Sequence, residues 1–109
     1  MSVSIETFGL LDIRVGRIVE VEDIPQARKP IYGLKIDFGP LGMKQCAAGI
    51  KAYYSKEQLI GKEVAAIINL EPKSIAGVVS ECMMLASFTE TDLALLRPDK
   101  DMPAGTKVA

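Results

Sequence analysis

Glu63-Val-Ala-Ala-Ile-Ile-Asn-Leu70, followed by Glu71-Pro-Lys73, Ile75-Ala-Gly77 and Ser80-Glu-Cys-Met83, is the stretch on which the reading of this chain turns. From Val64 to Leu70 every residue except Asn69 is apolar, the composition of a buried strand. An amide at the end of such a run needs partners, because a buried amide left unpaired costs roughly 1–3 kcal/mol. Pro72 stops the strand, Lys73 sets a cation beside Asn69, and Gly77 allows a turn that returns Ser80 toward it. Asn69, Lys73 and Ser80, with Met83, therefore read as a binding surface at the exit of a core strand. They do not read as a catalytic centre.

The rest of the composition supports that exclusion. The 109 residues include no histidine, which removes imidazole acid–base catalysis, histidine-dependent triads and histidine metal ligation. Cys46 and Cys82 are the only cysteines, with no metal-ligand spacing, so no metal and no cofactor is expected. They read as reduced, mostly buried small hydrophobes in preference to a disulfide or redox pair. Glu20, Glu22 and Asp23 form an acidic turn after a strand, better read as solvated surface than as acid–base machinery. No catalytic residue emerges, and an enzyme is not expected.

A hydrophobic share of 49% over 109 residues supports one core and one domain. No apolar run approaches the ~18–20 residues of a membrane span. Met1 to Phe8 has neither a basic n-region nor an apolar h-region, and with reduced cysteines this predicts a cytoplasmic protein without membrane insertion. The formal charge of −1 conceals an uneven distribution. Arg28 to Lys73 holds eight basic and four acidic residues, whereas the remainder holds five basic and ten acidic. A basic middle on an acidic frame can form the local positive face that phosphate binding uses.

Most of the chain patterns as strand. Ser4 to Phe8 reads as one helical turn capped by Ser4. In Asp12–Val21 the apolar positions shift phase around Gly16, which predicts a bulge or sharp bend there. Tyr32, Leu34, Ile36 and Phe38 alternate with Gly33, Lys35 and Asp37 as a half-buried strand, Gly39 to Gly42 turns, and Met43 to Ala48 returns. Ser55-Lys-Glu-Gln58 is a capping box for a short helix that Gly61 ends. The fourth strand is the apolar run and the fifth is expected over Ser80 to Ala86. Three strands, a small helix and two strands give the order of a five-stranded OB barrel, an all-β fold with a short helix.

Asp12-Ile-Arg-Val-Gly16, Ala27-Arg-Lys-Pro30, Leu34-Lys-Ile-Asp-Phe-Gly39, Leu59-Ile-Gly-Lys62, Asn69-Leu-Glu-Pro-Lys73 and Ile75-Ala-Gly77 with Ser80-Glu81 together resemble the tRNA-binding OB-domain family. That domain is appended to methionyl- and other tRNA synthetases and their accessory proteins. The resemblance covers residues 8–87, leaving 88–109 as a C-terminal extension. Within the family the chain is most similar to the small export-related chaperones of the CsaA type, although its Ser80-x-x-Met83 ending is nearer the tRNA-binding relatives. The resemblance implies an RNA-binding face of Asn69, Lys73, Ser80 and Met83, with Arg14, Lys35 and Lys44 on the bent first strand and flanks. It also implies that unfolded or exported polypeptides are partners, with Met83 and Met84 as peptide contacts. The alternative is a preprotein-binding chaperone with no physiological RNA ligand.

The ends of the chain carry a further expectation. Leu93-Ala-Leu-Leu96 and Val108 are apolar, yet the extension has no sixth barrel strand to form; Phe8, Leu10 and Leu11 raise the same question at the other end. Packing of both ends against their copies across a two-fold axis predicts a homodimer, as the chaperone resemblance also implies.

Overall fold

Alternation dictates the first element pair. Tyr32, Leu34 and Ile36 point inward from β2 (Tyr32–Asp37) in the computed structural model, which describes residues 1–109. β3 (Met43–Ala48) returns antiparallel to it, with Tyr32 opposite Ala48 and Asp37 opposite Met43. The long strand β1 (Ile13–Asp23) serves two neighbours. Its residues 13–17 pair with β4 (Glu63–Ile67) and its residues 17–23 pair with β2.

The transfer between neighbours requires a break, and it lies at Val19 rather than at Gly16. The β1–β2 register shifts between Ile18 and Glu20. There the Ile18 carbonyl accepts from the Gly61 amide at 2.7 Å and its own amide donates to Lys62 at 3.0 Å. Gly16 stays in register opposite Val64, and its glycine answers a packing demand. A Cβ at that position would stand 2.5 Å from Ile36 Cγ2 and 2.6 Å from Phe38 Cε1, both fully buried.

Two short helices complete the frame. α1 (Ile5–Phe8) starts where the Ser4 hydroxyl accepts from the Thr7 amide, and α2 (Lys56–Leu59) starts from the Ser55–Gln58 capping box. Leu59 seals α2 onto the core, and Asp23 ties that helix to the end of β1 through Lys56 and Lys51 at 2.9 and 2.8 Å.

The last part of the barrel is more broken than expected. Instead of one strand over residues 80–86, a hairpin of β5 (Lys73–Ile75) and β6 (Val78–Ser80) is followed by β7 (Met83–Met84) on β4. β8 (Ala86–Phe88) then pairs with β9 (Leu93–Leu95). Sheet order is β3-β2-β1-β4-β7, and the gap between β3 and the β6–β7 segment is bridged by Glu81, Gln45, Ala47 and Ser80. The result is a nearly closed five-stranded antiparallel barrel of OB type.

The C-terminal extension does form a sixth strand. β10 (Lys107–Val108) pairs with the start of β1, placing Val108 opposite Ile13. The Gly105 amide donates to Val15 at 2.7 Å, the Met102 amide donates to buried Glu63 at 2.9 Å, and Leu95 enters the main core cluster. Thus much of the tail closes on its own barrel. Ile13 and Val15 are buried yet lie outside the main cluster, which is why β1 carries apolar residues in both phases.

Candidate nucleic-acid interface

The hairpin β5–β6 turns on Ala76 and Gly77, both at positive φ (50° and 85°), a pairing typical of two-residue type I′ turns. That turn places Lys73 directly opposite Ser80. Beside them opens a cleft of about 310 Å³ whose apolar wall includes Ala47, Leu70, Ile75 and Met83, with Glu71 and Glu81 also present. Lys73 is exposed and makes no ion pair, and Met83 is half exposed. Adjacent strand residues face opposite ways, so Met84 turns inward and packs on the core.

Ser80 has a double commitment. Its hydroxyl accepts from the Ala47 amide at 3.1 Å and donates to the Cys82 carbonyl at 3.3 Å, so it bridges β3 to the strand segment that closes the barrel. Asn69 stands apart from the cleft. Its Oδ1 accepts from the Asp12 amide and its Nδ2 donates to the Leu10 carbonyl, each at 2.8 Å. The strand ends at Ile67 and leaves Asn69 exposed, so burial does not force these bonds; its partners come from the N-terminal segment and not from Lys73 or Ser80.

The predicted basic residues divide in the same way. Arg14 is spent on structure: Nε donates to Asp12 at 2.6 Å and a terminal nitrogen donates to the Gly105 carbonyl at 3.2 Å, latching the tail. Lys35 faces Glu20 at 3.6 Å in an exposed pair, worth little against bulk water. Lys44 is unpaired on β3 and lies near Cys82. The structure therefore brings together Lys73, Ser80 and Met83, with Lys44 close by, and separates Asn69, Arg14 and Lys35 from them.

Two positions outside the predicted set add positive potential. Lys62 has its pKa lowered by partial burial and then by the nearby Arg97 guanidinium, so two cations stand together without a carboxylate partner. Nothing local in the sequence could reveal this pair, since the two residues are brought close only when the tail folds back. Ala47, Leu70 and Ile75 were missed for a similar reason: each looks like ordinary strand filling until the hairpin leaves one side open.

The tRNA binding domain family, tRNA_bind, matches residues 13–107. The chain belongs to that family. Among curated relatives, the methionine–tRNA ligase of Nanoarchaeum equitans is 46% identical over 106 residues, covering 97% of this chain and 13% of that protein. The chain thus spans a small fraction of the length of the ligases it matches; the counterpart from Pyrococcus horikoshii is 45% identical with 14% of its length covered. The solved chaperone CsaA from Bacillus anthracis superposes with a TM-score of 0.91 at 39% identity, and CsaA from Picrophilus torridus with 0.91 at 42%. All of this chain is covered in the first case and 99% in the second, with the whole of each CsaA chain covered. The tRNA-binding domain is a binding module and not a catalytic one. No helix is long and apolar enough to cross a membrane.

Proposed function

We propose that this tRNA-binding domain acts as a small CsaA-like homodimer that grips tRNA or another structured RNA through one barrel face and serves as a cytoplasmic chaperone in protein export. The carrying observation is Lys73: exposed, without an ion pair and directly across the hairpin from Ser80 on the rim of a cleft with an adaptable methionine. Phosphate contacts dominate RNA affinity and position the ligand, while the apolar wall offers a base or sugar something to pack on. Unpaired Lys44 extends the attraction.

A gel shift with bulk tRNA at two salt concentrations tests this. Lys73→Ala should weaken binding equally for all tRNAs and flatten the log–log salt slope by about one. An unchanged affinity and slope would remove Lys73 from the interface. Met83→Ala is the cleaner test of the wall, because Ser80→Ala also removes the hydroxyl that bridges β3 to the closing segment.

The peptide reading rests on the apolar wall itself, including Met83, with Met84 committed to the core behind it. If an unfolded polypeptide binds, and tRNA at saturating concentration fails to displace it, the two ligands use separate surfaces. Peptide binding without any tRNA shift favours the chaperone alone. Homodimerisation is supported by the apolar residues still uncovered: Val3, Ile5, Phe8 and Leu10 at one end, Phe88 and Leu96 on the tail. Light scattering should give twice the 11.8 kDa chain mass; the monomer mass would refute it. Two positive faces per dimer would add avidity to weak contacts.

A further inference from the structure

The outer face of β1, β2 and β3 follows from the core it covers. Val21, Leu34 and Cys46 point inward, so their neighbours along each strand point out. The ladders set those outward residues in two rows: Glu20, Lys35 and Gln45 in one, Glu22, Gly33 and Ala47 in the next. Gly33 leaves the middle of the second row bare. Over this floor opens a cleft of about 220 Å³, walled by Ile24 and Pro25 from the loop after β1 and by Val78 from the hairpin. Gln45 Nε2 donates to the Val79 carbonyl at 3.1 Å, which holds the hairpin wall against the floor.

The charges around the floor disfavour two kinds of occupant. A phosphate would meet Glu20 and Glu22, and a lysine or arginine side chain would meet Lys35. The cleft instead suits a flat, uncharged group that both donates and accepts along one edge. Glu22 has no ion pair, and the Glu20–Lys35 pair is exposed and 3.6 Å long, so engaging these side chains sacrifices little.

We propose that this cleft takes one unstacked guanine base of a bound RNA. This rests on the RNA reading and gives that reading a base-recognising subsite. The pairing edge of guanine sets two donors, N1–H and the 2-amino group, beside the O6 acceptor. The Glu22 carboxylate accepts from the two donors and Lys35 donates to O6, while the ring lies over Gly33 between Ile24 and Val78. Adenine and cytosine put a ring acceptor where guanine has N1–H, facing the carboxylate with a lone pair, and uracil has one donor only. The phosphate is met next door. Ala47, opposite Gly33, lines the Lys73 cleft, and it stands two residues along β3 from Gln45. The two clefts therefore open about 7 Å apart on one face. Lys35, separated from Lys73 by the hairpin, acts in its own cleft on the base.

The test uses the intact chain with bulk tRNA and with labelled RNA pentamers, read by fluorescence anisotropy. Each pentamer carries guanosine, inosine, adenosine, cytidine or uridine at the centre of a uridine background. The guanosine pentamer should bind about fivefold tighter than those with adenosine, cytidine or uridine. Inosine, which lacks the 2-amino group, should fall between. Gly33→Ala adds a Cβ to the floor at an ordinary 3.6 Å from Ile24 Cγ1, and the φ there is not positive, so the fold is kept while the base loses its seat. That variant and Glu22→Gln should each bring the pentamers to one common affinity, whereas Lys73→Ala should weaken all of them equally. A wild-type chain that binds tRNA without preference among the pentamers overturns the guanine subsite and leaves the RNA reading intact. A preference that survives Gly33→Ala does the same. Binding of neither tRNA nor any pentamer sinks both. An unfolded polypeptide that Gly33→Ala weakens, with the pentamers unaffected, assigns the cleft to peptide and also overturns the proposal.

Discussion

Replacing Gly16 with alanine adds a single methyl group, and the structure says where it must go. The new Cβ would sit 2.5 Å from Ile36 Cγ2, 2.6 Å from Phe38 Cε1 and 2.9 Å from Phe38 Cδ1. Favourable carbon–carbon contact lies near ~3.5–4.0 Å, so about an ångström of separation has to be found. Neither partner can yield easily, since Ile36 and Phe38 are both 0% exposed. Nor can β1 back away, because it is laddered to β4 around Gly16 and its neighbour Val15 is bonded to Thr106 and Gly105 of the tail. Overpacking of this kind costs about 1–3 kcal/mol. At roughly 4–8 °C per kcal/mol for a domain near 100 residues, Gly16→Ala should melt about 10 °C below wild type. Circular dichroism during heating reads the shift, and urea unfolding should show a lower midpoint with an unchanged slope. Gly49→Ala is the control, since nothing lies within 4 Å of a Cβ there and its φ is not positive. Phe38→Leu in the Gly16→Ala background should recover part of the loss, giving a non-additive cycle. A Gly16→Ala protein melting within about 2 °C of wild type would refute the close-packing account.

Asn69→Ala should release Leu10 and Asp12, losing about 1 kcal/mol and raising hydrogen exchange at the Asp12 amide while the barrel amides stay protected. Asp23 has its pKa lowered from 3.8 to about 2 by hydrogen bonds from Lys51 and then Lys56. Its contribution is therefore full above pH 3.8 and disappears as pH falls through about 2. Asp23→Asn should flatten the acid limb of urea midpoints in that window, and an identical limb would exclude the network from acid stability. Ala76 occupies φ +50° without being glycine, so Ala76→Gly should stabilise the hairpin by up to about 1 kcal/mol, measured as a raised urea midpoint.

Elements whose signal is local were legible in the sequence. The Tyr32–Asp37 alternation, the Ser4 and Ser55 caps and the strand order of the barrel all follow from neighbouring residues, and all stand in the structure. Failures arose where a distant segment changes what a residue faces. Ile13 and Val15 read as one phase of a strand that then slips at Gly16, because nothing nearby announces that the tail will cover them. The true bulge at Val19 depends on the Ile18 backbone being claimed by Gly61 and Lys62. Asn69 read as a buried amide, yet the core strand stops at Ile67 and the exposed amide instead holds the Leu10–Asp12 segment, which nothing near it in the sequence indicates. Lys73 and Ser80 were brought together by a turn that glycine at position 77 foretold. Arg14 could be recognised as a cation; only the folded tail turns it into a latch.

With Val108 opposite Ile13, the chain enters its barrel and finally leaves it at adjacent points of one edge. A domain arranged in this way can be spliced into, or hung from, another polypeptide with little loop-closure entropy, because its two attachment points need no long return path. The same adjacency makes circular permutation of the barrel feasible: a glycine–serine connection from the end of β10 to the start of β1 could replace residues 1–12, and new termini could open elsewhere. The exposed turn at Ala76–Gly77 would be the wrong place to cut, since it sets Lys73 against Ser80. The Thr89–Asp92 turn between β8 and β9, away from that cleft, is the better one. Such a permutant would display the Lys73 hairpin unchanged while moving both ends of the chain to another part of the surface.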